Sequence, residues 1–148
     1  MLKYVTFLSD AFNQTEIKKN FINPCCFGED LADWLVRRLG DTDLTAAPEP
    51  CQEDWGWEVF VTCGNKRFFI GTGQYKLGNQ FGWLCFVESC LPFYKRWLGV
   101  KDAAEQQRVC AVFHSVLASA SEIRDIRWHT KENLVKGNEA DWKSQPDA

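Results

Sequence analysis

Cys25 and Cys26 stand directly before a segment that opens on Gly28-Glu29-Asp30. That is where a thiol in this chain has a reason to be reactive, because a helix N-terminus offers unpaired N–H groups and the positive end of a dipole to a thiolate. A cysteine nucleophile also needs a base to take its proton. His129 has that chemistry, and the alternation around it sets Asp125, Arg127 and His129 outward and Ile126 and Trp128 inward. The plainer reading is that Cys25 and Cys26 pack the start of the helix and that His129 is a hydrogen-bonded sheet histidine. No orienting or oxyanion-stabilising residue can be assigned to complete a catalytic set.

Glu53, Asp54 and Glu58 form a second cluster. Neighbouring carboxylates push each other's pKa apart and serve as acid/base pairs or metal ligands. Adjacent residues point apart, however, so Asp54 reads as a turn or capping residue and Glu53 as a solvated rim. Two histidines and seven cysteines without a Cys-x-x-Cys pair give no zinc-knuckle spacing, so no metal and no cofactor is expected. Gly71-Thr72-Gly73 lacks the Lys-Ser/Thr ending of a phosphate loop. Trp55 lies on a loop behind the two acids, and Tyr75, Phe81 and Trp83 bracket a glycine-rich stretch. Aromatic side chains on loops at one sheet edge are typical of binding hot spots, while a Trp folded back on its own corner is the structural alternative. The expected binding set is Glu53, Asp54, Trp55, Glu58, Tyr75 and Arg127.

These residues need elements to hold them. Residues 3–8 read as a first strand. Leu31, Trp34, Leu35 and Leu39 make one apolar stripe of a helix that starts after Gly28 and stops at Gly40. From Trp57 the period becomes two, with Trp57, Val59, Val61 and Cys63 on one face and Glu58, Phe60 and Thr62 on the other. Gly64-Asn65 turns the chain, so 57–75 is a hairpin. The glycines at 71, 73, 78 and 82 read as a loose connection to a strand over 83–89, in which Trp83, Cys85 and Val87 oppose Leu84 and Phe86. Apolar residues on both strand faces predict a sheet partly covered on both sides. A short helix follows Pro92 up to Leu98, and a second long helix spans about 103–119 with Val109, Val112, Phe113 and Val116 buried. At about 100° per residue, His114 falls about 140° from that stripe, on its flank or solvent side. A last strand covers 123–130.

The order β-α-β-β-β-α-α-β indicates an α+β fold, a single-domain two-layer sandwich with a mainly antiparallel sheet and two principal helices. Residues 1–130 form the domain and 131–148 a polar tail, from which Trp142 can dock. At 148 residues with 45% hydrophobic content, the chain has enough apolar material for one core. Its net charge of −3 lacks the basic footprint of a nucleic-acid binder. No apolar run approaches the ~20 residues of a membrane helix, and the apolar N-terminal stretch is too short for a signal peptide. The expectation is a cytoplasmic protein with reduced thiols, binding neither nucleic acid nor membrane.

The stretch Cys26-Phe27-Gly28-Glu29-Asp30-Leu31-Ala32-Asp33-Trp34-Leu35, followed by Glu53-Asp54-Trp55-Gly56-Trp57, resembles a pattern of small uncharacterised bacterial proteins over roughly the first sixty residues. That resemblance implies no activity and no catalytic residue. The acidic, aromatic-rich α+β composition is similar to that of immunity proteins of bacterial toxin systems. It implies a binding module that meets a protein partner, with acids around an aromatic anchor favouring a basic one. The cysteine-helix and histidine-strand order loosely resembles papain-like peptidases, which keeps open the alternative of a thiol-dependent enzyme using Cys26 or Cys25 with His129.

Overall fold

The computed structural model describes residues 1–24, 26–136 and 141–147. Its elements are β1 (Tyr4–Leu8), α1 (Glu29–Leu39), β2 (Thr45–Ala46), β3 (Cys51–Glu53), β4 (Gly56–Cys63), β5 (Lys66–Leu77), β6 (Gln80–Ser89), α2 (Phe93–Trp97), α3 (Ala103–Ala118), β7 (Arg124–His129) and α4 (Lys131–Val135). The fold is α+β, and every strand pairing is antiparallel. The sheet runs β2-β4-β5-β6-β1-β7, with β3 sharing the outer edge of β4 with β2. The N-terminal strand therefore sits inside the sheet, between β6 and β7.

Strict alternation builds the core. Along β4, Trp57, Val59, Val61 and Cys63 are buried while Glu58, Phe60 and Thr62 are half-exposed. The same parity buries Phe68 and Ile70 on β5, Trp83, Cys85 and Val87 on β6, Val5 and Phe7 on β1 and Trp128 on β7. Onto this face α1 lays Leu31, Ala32, Leu35 and Leu39, and α3 lays Val109, Cys110, Phe113, Val116 and Leu117, in one continuous core. Glu29 and Asp30 stand in the first turn of α1 and Arg37 and Arg38 in its last, each complementing the dipole. Each fully buried large apolar side chain contributes about 1.5–3 kcal/mol relative to leaving it in water.

Several expectations change. The glycine-rich connection is not a loop: Gly71, Gly73 and Gly82 lie inside the long β5–β6 hairpin, which turns only at Gly78-Asn79. These strand glycines are places where something comes too close for a Cβ. A Cβ on Gly71 would meet the Phe86 ring at 2.5 Å and the Trp55 ring at 2.8 Å, and one on Gly82 would meet the Phe7 carbonyl oxygen at 2.7 Å. The segment 41–53 contributes the two short edge strands β2 and β3, which the prolines nearby had hidden.

The second face of the sheet is not covered by α1 or α3; its cover is partial, with Thr6 and His129 buried on it. Its aromatic residues stand outside the core cluster and half-exposed. In the tail, Lys143 exchanges backbone hydrogen bonds with Trp128 at 2.8 and 2.9 Å, and the Arg127 guanidinium stacks over Trp142 at 5.1 Å.

Candidate functional site

The turn between β3 and β4 is only Asp54-Trp55, because Glu53 already pairs with Gly56. Gly56 is required there: a Cβ would stand 2.1 Å from the Thr72 carbonyl oxygen, and no side-chain adjustment relieves a backbone clash. The tight turn throws Trp55 back over the uncovered sheet face. Its ring lies 4.9 Å from that of Phe86 and 6.5 Å from that of Phe69, above the space left by Gly71. Even so, Trp55 remains 43% exposed.

Beneath it runs an aromatic row that crosses four strands. Phe60 on β4 meets Phe69 on β5 at 6.2 Å, Phe69 meets Phe86 on β6 at 6.0 Å, and Phe86 stacks on Tyr4 of β1 at 5.7 Å. Tilted and edge-on ring pairs of this kind add about 0.5–1.5 kcal/mol each beyond burial. Charged groups close both ends. The Arg67 guanidinium sits 4.2 Å over the Phe60 ring. At the other end Glu88 pairs with Lys3 at 2.6 Å and accepts from the Tyr4 hydroxyl at 3.3 Å. Burial, and then the Glu88 charge, push the Tyr4 phenol up to about 12.

Glu58 stands opposite Gly71 and Cys51 on the same face as Trp55. Partial burial raises its pKa, the Glu53 carboxylate adds to the rise, and Arg67 opposes it. The rim is thus a pair of mutually repelling acids with one cation nearby, short of positive charge. Asp54 points elsewhere and accepts from Asn23 Nδ2 at 3.2 Å.

The structure brings Glu53, Trp55 and Glu58 of the expected set together. Tyr75 shares their face but lies farther along β5, opposite Gly82. Arg127 does not join them. It is on β7, four strand spacings or about 19 Å from β4, and is engaged with Asp125 at 2.8 Å. Phe69, Arg67 and Tyr4 were not singled out in the sequence; the period-two alternation that set Phe60 and Phe86 each on one face of its own strand, carried on to 66–75, was the signal that would have found Phe69.

The thiol candidates separate. Cys25 lies outside the described residues. Cys26 is buried, its thiol donates to the Asp54 carbonyl oxygen at 3.2 Å, and its own carbonyl accepts from Trp57 Nε1 at 2.9 Å. Those contacts tie it to the β4 side of the sheet. His129 is on β7 and is 1% exposed, with Nε2 2.9 Å from Thr6 Oγ1. This geometry matches the plainer reading of a hydrogen-bonded sheet histidine, and its outward place on β7 does not open it to solvent: β1 flanks one edge of β7, Lys143 the other, and the Thr6 hydroxyl meets the ring. With about 19 Å of sheet between β4 and β7, Cys26 and His129 form no proton relay. His114 is half-buried on the flank of α3, where Nδ1 accepts from Trp128 Nε1 at 3.2 Å and burial lowers its pKa.

Among the described residues no three His, Cys, Asp or Glu side chains gather into a cluster that could hold a metal ion. A groove of about 410 Å³ between α1 and α3 carries Arg38, Asp43 and Ser119. Its polar groups are already engaged, Arg38 with Ser119 at 2.9 Å and Asp43 with Arg108. No family model, curated protein or solved structure matches this chain.

Proposed function

We propose that this chain is a two-layer α+β binding module of the cytoplasm that holds a protein partner, in the manner of an immunity or inhibitor protein. The face it uses is the one its two long helices leave open. The observation that carries this reading is the continuous row Phe60-Phe69-Phe86-Tyr4 with Trp55 mounted across it. An exposed apolar patch rimmed by polar groups marks an interaction surface, and a central Trp in such a patch is a preferred anchor. A rigid β-hairpin holds that Trp with little conformational freedom left to lose on binding. Glu53 and Glu58 at the rim favour a partner with basic side chains, which would relieve their mutual repulsion and speed encounter.

The test is capture of a partner from lysate of the source organism at low and moderate salt, with the native chain and with Trp55→Ala. The reading requires a near-stoichiometric protein retained at moderate salt by the native chain and lost with Trp55→Ala, while the variant stays folded at the capture temperature. Equal capture by both proteins would move the interface elsewhere, and capture of nothing would remove the reading.

A further inference from the structure

A different surface carries an independent conclusion. Between β6 and α3 the chain makes the short helix α2, and no residue of it is buried. Phe93 is 84% exposed and Trp97 80%, with Tyr94 and Leu98 also in solvent. Four large apolar side chains on one and a half turns gain nothing from the fold. Helix geometry arranges them: at about 100° per residue, Phe93, Trp97, Tyr94 and Leu98 fill one sector of about 140°, and Lys95 and Arg96 stand about 60° beyond its two edges. An apolar wedge with a cation on each flank is the layout of a helix lying in a membrane interface, where aromatic rings settle among headgroups and long cationic side chains reach phosphates.

The local charge points the same way. From Leu91 to Lys101 the chain carries Lys95, Arg96 and Lys101 and no acid, in a protein of net charge −3. The acids at the base of this protrusion are already engaged: Glu88 with Lys3 at 2.6 Å, Glu105 with Lys66 at 2.7 Å, and Asp102 with the Ser89 hydroxyl. Lys95, Arg96 and Lys101 are exposed and join no ion pair among the described residues, although Arg96 Nη2 also donates to the Ser89 carbonyl oxygen at 3.4 Å. A groove on a protein is the less suitable occupant, since groove-bound helices engage anchors over i, i+4 and i+7 and α2 has only five residues. A fluid headgroup layer imposes no such length. We infer that α2 docks this protein on an anionic phospholipid surface, with Phe93, Tyr94, Trp97 and Leu98 seated among headgroups and Lys95, Arg96 and Lys101 on lipid phosphates and carboxylates. No helix of the described residues is long and apolar enough to cross a membrane; the contact inferred here is peripheral.

Vesicle flotation of the full chain tests this, using phosphatidylcholine vesicles with and without phosphatidylserine. The expected result is flotation with phosphatidylserine vesicles only, weakened by added salt. A Phe93→Ala/Trp97→Ala variant should lose it, and Lys95→Glu/Arg96→Glu should weaken partition by roughly tenfold or more, as two cations near an anionic surface predict. Both variants change exposed side chains, so an unaltered melting temperature identifies the loss as one of binding. Trp55→Ala should float like the native chain, which separates this inference from the protein-partner reading. No flotation at low salt, equal flotation on neutral vesicles, or full flotation of either α2 variant would each overturn it. So would self-association in the absence of lipid that Phe93→Ala/Trp97→Ala abolishes, because α2 would then be an interface between copies of this chain.

Discussion

Single side chains in this protein take their chemistry from burial more than from neighbours. Desolvation raises the pKa of Cys63, Cys85 and Cys90, and pushes Cys110 up to about 12, so these thiols are held protonated and slow to react. Cys51 is exposed on the edge strand β3. Brief alkylation of the native protein should therefore mark Cys51 well before Cys26, and reach Cys85 and Cys110 only on unfolding; mass spectrometry of labelled peptides reads the order. Labelling of Cys26 ahead of Cys51 would revive the thiol-enzyme alternative. Glu58 gives a pH prediction with a definite sign. Its folded-state pKa is raised, so ionisation works against the fold: the charge costs stability at neutral pH, and the cost disappears as pH falls and the carboxyl takes up its proton. Glu58→Gln should be more stable than the native chain near neutral pH, by roughly a few tenths of a kcal/mol given its exposure. The gap should close through and just above the ordinary carboxylate range. Denaturant titrations at several pH values decide it, and a gap that widens on acidification would reverse the assignment.

At the scale of elements, the β3–β4 turn and the β5–β6 hairpin together make the aromatic face, and two glycines distinguish its parts. At Gly71 the atoms nearest to an added Cβ are ring atoms of Phe86 and Trp55. Gly71→Ala should dislodge Trp55 and weaken partner capture while the protein stays folded, at a stability cost of about 1–2 kcal/mol. At Gly56 the obstacle is the Thr72 backbone oxygen at 2.1 Å. Gly56→Ala must shift the strand itself and should cost more, about 2 kcal/mol or above. Comparing the two variants in urea checks the order; equal costs would mean that the turn gives way as easily as the rings. Thr72 also links the turn to α1, since its hydroxyl lies 3.3 Å from both the Gly28 and Trp57 carbonyl oxygens and is shared between them. The Trp corner and the start of α1 are thus one unit.

For the molecule as a whole, both long helices and one sheet face share a single core, so loss of a central side chain should be felt everywhere at once. Phe113 is fully buried and touches Trp128 edge to face at 6.2 Å. Phe113→Ala should destabilise by about 3–5 kcal/mol, and unfolding followed by tryptophan fluorescence and by far-ultraviolet dichroism should shift together. Separate transitions would indicate that the helices and sheet do not unfold as one. Much of this architecture was legible in the residues. The period-two runs of β4 and β6 and the stripes of α1 and α3 are local patterns, because side-chain direction follows from backbone geometry alone. The α+β class and the buried parity of β4, β6 and β7 came from those patterns, and the run Glu53-Asp54-Trp55-Gly56-Trp57 suggested that Trp55 is fixed at a corner. Which face of the sheet the helices choose is not local. The Phe60-Phe69-Phe86-Tyr4 row joins four strands through their register, and one sequence does not state strand order. Gly71 and Gly73 looked like loop residues because their reason, a tryptophan arriving from another hairpin, lies elsewhere in the chain. His129 read as a hydrogen-bonded sheet histidine, but nothing local announces that Thr6 and Lys143 flank it. The sequence by itself determined which residues of each strand and helix are apolar and in what period; only the tertiary structure decided which of those surfaces are covered, because burial depends on what packs across from a residue.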